Sequence, residues 1–224
     1  RTRIGKVGIA LLAVPAIQLI FASFLPANAT ESSLSAADNT LILTSSALVL
    51  LMTPGLAFFY GGFTQAKNVL NTMAMSFVMM GIATLVWSIV GFSLAFSDGG
   101  SSNAFIGNPS TYAFLENLPS NWEGLKIPGL SFALFQGMFA IITPALISGA
   151  LVERISFRFW CFFTPIWILF VYAPLAHMVW GGGLLGKDLD FAGGTVVHIS
   201  SGVSALVLAG LIGSRGSWPK RIKP

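Results

Sequence analysis

Residues 129–152 read GLSFALFQGMFAIITPALISGALV, an apolar run without a single charged residue. An α-helix rises about 1.5 Å per residue, so the run is long enough to cross a hydrocarbon core about 30 Å thick. Four similar runs accompany it, approximately 41–61, 69–96, 159–179 and 193–212. Of the 224 residues 54% are hydrophobic and only 9% charged, more apolar surface than a soluble domain of this size can hide. The apolar spacing is helical and lacks the roughly ten-residue alternating segments of an outer-membrane barrel. The expected fold is therefore an all-α polytopic membrane protein with five transmembrane helices in a lipid bilayer. Pro54, Pro144, Pro165 and Pro174 fall inside these runs, where they would break soluble helices. Neighbouring helices re-satisfy the freed carbonyls in a membrane bundle.

The net charge of +4 would suggest an anionic partner in a soluble protein. In a membrane protein the placement of charge is what informs, and nucleic acid is set aside as a partner. Residues 1–29 read as an export signal: Arg1, Arg3 and Lys6, then an apolar stretch from Val7 to Leu25, then Ala27-Asn28-Ala29. That segment is either cleaved or kept as an anchor, and in both cases the following residues start on the outer side. The inner loops then hold Lys67, Arg154 and Arg158, and a basic segment at 216–224 follows Arg215. The outer loops hold only Lys126 and Lys187 as cations, while every acid except Glu153 falls outside. This asymmetry predicts an N-terminus outside after signal cleavage, and the signal-like start suggests a multi-pass location in an inner, cytoplasmic membrane. Cys161 has no partner in the chain and reads as packing.

The longest loop, residues 97–128, carries SDGGSSN, GNPS and LPSNWEG, which are turn chemistries. Neither a phosphate loop, nor metal-ligand spacing, nor a nucleophile elbow is found, and GGG at 181–183 lacks the context of a nucleotide site. An enzyme, a cofactor and a metal are not expected.

DFAGGTVVHISSG at 190–202 places an acid and an imidazole in an otherwise apolar run. On an ideal helix His198 shares a face with Gly194, Ser201, Gly202, Ala205 and Ala209, with Val196, Val203, Val207 and Leu211 opposite. A small-residue face lets another helix approach or leaves a narrow path. His198 reads either as a functional pore group or as a neutral ring bonded to a neighbouring helix. Asp190 reads as a helix cap, as a negative charge at an outer vestibule, or as both. Phe135 and Phe139 share a face with Phe132, Met138 and Ile142, a pattern that packing alone explains. Trp180 suits an interfacial anchor or a cation-binding face. His177 reads as an interface hydrogen bonder.

TPGLAFFYGG at 53–62, KNVLN at 67–71, FQGMFAIITPALISGALVERI at 135–155, AHMVWGGGLL at 176–185 and DFAGGTVVHI at 190–199 closely resemble the ammonium transporter (Amt/Mep/Rh) family, on the Amt side. The resemblance runs from about Asp38 to Arg215 and covers the N-terminal half of the family's domain. It implies an eleven-helix fold made of two inverted five-helix repeats and a final helix. The expected assembly is a homotrimer with one pore in each subunit.

By motif position, the resemblance implies that Trp180, Phe139 and Asp190 recruit ammonium or methylammonium at an outer aromatic site. Phe135 and Phe139 belong to the gate, and His198 is the first pore histidine. The same resemblance implies a PII signalling protein as partner on the cytoplasmic face. Ammonium donates hydrogen bonds and gives up a proton, which potassium does not, so a dry pore with an imidazole discriminates between them. Five spans make the first inverted repeat only. The second gate phenylalanine, the partner histidine and the cage serine belong to the other repeat, so this chain is expected to hold half a pore. The competing readings are an ammonium sensor signalling through the cytoplasmic face and a non-conducting remnant.

Overall fold

A computed structural model of the chain describes residues 34–122, 124–186 and 190–216. The signal-like segment 1–29, residues 217–224 of the basic segment, and Glu123, Lys187 and Asp188 of the outer loops lie outside the described residues. Among the described residues there are helices and loops and no strand. Five helices are long and apolar enough to cross a membrane: α1 (Ala36–Gly61), α2 (Ala66–Phe96), α3 (Gly129–Leu151), α4 (Phe157–Trp180) and α5 (Gly194–Ile212).

Local chemistry explains where the helices begin. The Ser35 hydroxyl accepts the N–H of Asp38 at 3.2 Å, so α1 starts ahead of the apolar run. Ser156 caps α4 in the same way, accepting the N–H of Phe159 at 3.2 Å. Three helices contain a π-helical stretch, at Trp87–Gly91, Ile168–Tyr172 and Gly194–Ile199. Each stretch widens the turn and rotates the residues beyond it away from the ideal helical wheel.

Consecutive helices run in opposite directions around α3. Two-thirds (67%) of the apolar window of α3 is buried, against 17% for α1 and 22% for α5, so α3 is the hub and those two lie at the periphery. Indole N–H groups tie the helices together. Trp87 of α2 donates to the Ala133 carbonyl of α3 at 3.1 Å, and Trp160 of α4 to the Met75 carbonyl of α2 at 2.8 Å. Trp167 of α4 donates to the Ser204 hydroxyl of α5 at 2.9 Å. A buried indole N–H without an acceptor would be costly where no water reaches it, so these bonds fix which helix faces meet. Gly149 makes room for Tyr60: a Cβ there would stand 2.4 Å from the ring, whose hydroxyl donates to Leu146 at 2.9 Å.

One end of the bundle is closed by the long loop 97–128, where Trp122 stacks on Phe132 with ring centroids 4.3 Å apart. Phe92 and Phe96 pack edge-on around that pair. Turn chemistry alone did not reveal that this loop sends a tryptophan back into the core. At the other end Glu153, with φ of 61°, accepts the Gln65 N–H at 2.8 Å and the Asn68 amide at 3.0 Å. Burial alone would raise the Glu153 carboxyl, but those bonds together with the charges of Arg215 and Lys67 hold it below its ordinary value. Arg154 donates to the Gly213 carbonyl at 2.8 Å, placing a cation at the C-terminus of α5.

Candidate functional site

The end of α4, the start of α5 and the middle of α3 meet in one corner. Asp190 organises this corner. Its Oδ1 accepts the Gly194 N–H at 2.6 Å, and its Oδ2 accepts those of Thr195 and Val196 at 3.0 and 3.1 Å. The first backbone donors of a helix have no partner within it, and here one carboxylate satisfies three of them. The cap reading of Asp190 is thus visible in its bonds.

Asp190 also holds Trp180 through its main chain, because the indole Nε1–H donates to the Asp190 carbonyl at 3.0 Å. Gly193 permits the tight approach. It sits at φ of 73°, and a Cβ there would stand 2.8 Å from Val197 Cγ2 and 3.8 Å from the Trp180 ring. The Phe139 ring lies 6.3 Å from Trp180 at 65°, and the Phe135 ring lies 5.1 Å from Phe139 at 86°. All three aromatic rings are half-buried. Phe135, Phe139, Trp180 and Asp190 therefore form one continuous row, in edge-to-face contacts favoured by the ring quadrupoles. Phe132 leaves this row and packs on Trp122, so the shared face expected from spacing splits in two.

His198 lies in the π-helical start of α5 and is exposed. Its Nδ1 is 2.9 Å from the Gly193 carbonyl oxygen. That oxygen only accepts, so in a neutral ring the proton belongs on Nδ1 and Nε2 is left as a hydrogen-bond acceptor. The small face expected around His198 is mixed in burial: Ser201 is buried, Ala205 and Ala209 are half-buried, and Gly194 and Gly202 are exposed. On the opposite side Val196 is buried, while Val203, Val207 and Leu211 are exposed. Val196 is thus the member of that face that packs inside, and it lies within the π-helical stretch at 194–199.

His177 is fully buried, with Nδ1 3.1 Å from the Ala95 carbonyl and Nε2 2.8 Å from the Asn103 carbonyl. Among the described residues no group of three or more His, Cys, Asp or Glu side chains is disposed to hold a metal ion.

Five apolar helices long enough to cross a membrane, with an aromatic row at the junction of three of them and an exposed histidine on α5, define a multi-pass membrane protein of the transporter class. The Ammonium Transporter Family profile matches residues 40–223, and the chain belongs to that family. It is 47% identical over 199 residues to an ammonium transporter of Aquifex aeolicus, covering 88% of this chain and 46% of the relative. Its fold superposes on the crystal structure of Saccharomyces cerevisiae Mep2 with a TM-score of 0.75 and 34% identity, covering 82% of this chain and 41% of that one. A structure described as a sensor Amt protein matches with a TM-score of 0.72 and 29% identity, over 80% of this chain and 44% of that one. The resemblance carried by the motifs is thereby confirmed, and the family is one of membrane transporters rather than enzymes. The chain spans about half the length of the curated relatives it matches.

Proposed function

We propose that the protein moves ammonium across a membrane, recruiting the cation at the Trp180–Phe139–Asp190 corner and passing it along Phe135 and Phe139 to His198. The observation that carries this reading is the continuous row from the Asp190 cap through Trp180 to Phe139 and Phe135. An indole face attracts a desolvated cation by about 2 kcal/mol, and the Asp190 carboxylate adds negative charge beside it. The free Nε2 of His198 gives the substrate a hydrogen-bond acceptor after it has left water. Ammonium can donate to that nitrogen and shed a proton, whereas a potassium ion gains nothing that replaces its hydration shell. Passage as NH3 with separate proton transfer and passage as net NH4+ both fit this logic.

The pore is completed by a second inverted repeat, and the working assembly is a homotrimer in the inner membrane with the Trp180 corner outside. Transport sites in inverted-repeat folds lie where the repeats meet, which is consistent with the exposure of His198. The end bearing Lys67, Glu153, Arg154 and Arg215 faces the cytoplasm and offers a docking surface to a PII signalling protein. Proteoliposomes containing the full-length protein should take up methylammonium above the level of empty liposomes. Uptake equal to that of empty liposomes would refute transport.

A sensor is the second reading, supported by the match to the sensor Amt protein. It predicts ammonium binding at the same corner, measured by titration, without uptake.

A further inference from the structure

We propose that His177 is a positioning residue of the outer site. Together with Gly181 it clamps the 95–104 segment onto the end of α4 and so sets where the Trp180 indole stands. The proposal rests on the reading of Trp180 as the surface that recruits the cation.

A fully buried imidazole needs polar partners, and both of its partners here are backbone carbonyls from distant parts of the chain, Ala95 and Asn103. A carbonyl only accepts and a neutral imidazole carries a single N–H, so the ring donates to one of these two carbonyls and lies against the other. One side chain therefore staples the end of α2 and the outer loop to α4. A backbone bond repeats the connection. The Leu184 N–H, just past α4, donates to the Ala104 carbonyl at 2.9 Å, while the Gly183 N–H closes the end of α4 on the His177 carbonyl at 3.1 Å.

Gly181 supplies the other half of the clamp. A Cβ at this position would stand 2.0 Å from the Ala95 carbonyl oxygen and 2.9 Å from His177 Nδ1. The Ala95 oxygen therefore lies in a cradle formed by the missing side chain on one side and the imidazole on the other. Trp180 sits between them in sequence, directly before Gly181 and about one helical turn after His177. Asp98, the carboxylate within the clamped segment, turns its Oδ1 to the Gly100 N–H at 2.7 Å. The clamp is thus made of hydrogen bonds and close backbone approach rather than of an ion pair. An apolar ring in place of His177 removes the N–H that one of these carbonyls accepts and the polar contact of the other, so the segment and the indole beside it shift.

The test is methylammonium uptake by the full-length protein in proteoliposomes, normalised to folded protein. His177→Phe should raise the half-saturation concentration about three- to tenfold, a part of the roughly thirtyfold that complete loss of a desolvated cation–π contact would cause, with the maximal rate close to wild type. His177→Gln, whose amide keeps N–H donors, should fall in between. A merely structural histidine would change the yield of folded protein and leave half-saturation unmoved. Wild-type half-saturation in folded His177→Phe overturns the proposal. If that variant cannot be recovered folded, Gly181→Ala decides, with the same shift expected and an unchanged value overturning it. Trp180→Ala separates the two levels of the argument. Unchanged half-saturation there refutes the recruitment reading and the clamp with it, whereas a shift in Trp180→Ala without one in His177→Phe refutes the clamp alone.

Discussion

The main-chain carbonyl of Asp190 accepts the indole N–H of Trp180 at 3.0 Å, so the residue that caps α5 also holds the residue that ends α4. The carboxylate of the same aspartate satisfies three N–H groups of α5. Asp190→Ala should lower stability by about 1–2 kcal/mol through the lost cap. Asp190→Asn, which keeps one side-chain acceptor, should lie between that variant and wild type. Thermal unfolding in detergent measures both, and a wild-type melting temperature for Asp190→Ala would show that the cap contributes nothing.

Gly149 and Tyr60 make a tight contact of another kind, with a built Cβ 2.4 Å from the phenol ring. Gly149→Ala should destabilise the bundle by about 1–3 kcal/mol, the usual cost of overpacking. Replacing Tyr60 by Ala in that background removes the obstacle, so the two effects should be clearly less than additive. Strict additivity in denaturation experiments would mean that the ring has room to move.

The spans are legible in the sequence because length and apolarity suffice to recognise them. Asp190 was legible as a cap because an acid ahead of a helical run has few other structural uses. His177 was legible as a hydrogen bonder, although not its two carbonyl partners, which lie far away in the chain. The π-helical stretches were not legible, since no residue pattern marks them. The return of Trp122 to the core was hidden for the same reason that loops resist reading: its partners Phe92, Phe96 and Phe132 come from two other helices. Spacing likewise grouped Phe132 with Phe135 and Phe139, and the presence of Trp122 separates them.

Glu153 predicts a pH dependence. Burial pushes its carboxyl up, but the bonds from Asn68 and Gln65 and the charges of Arg215 and Lys67 outweigh that and leave it below its ordinary value. A carboxylate lowered by folding contributes stability above its unfolded value and loses it as pH falls through the folded one. Glu153→Gln should therefore be less stable than wild type near neutral pH, and the gap should close in acid. Melting curves across the acidic range test this, and a gap that stays constant with pH would show that the charge of Glu153 plays no part.

His198 offers the sharpest test of the proposed path. Its Nδ1 is occupied by the Gly193 carbonyl at 2.9 Å, which fixes the ring and leaves Nε2 as the acceptor for a passing substrate. His198→Ala removes that acceptor without removing a backbone cap, because the three N–H groups at the start of α5 are held by Asp190. Assembly should survive. Methylammonium flux through the full-length protein should fall about tenfold or more, since a hydrogen bond to a charged group contributes about 1.5–3 kcal/mol and each 1.4 kcal/mol is about a factor of ten. Alternatively, flux persists with weaker discrimination against potassium, because the apolar path then offers ammonium no advantage over a metal cation. Wild-type flux and wild-type discrimination together would remove His198 from the path and leave it as a histidine bonded to its own helix.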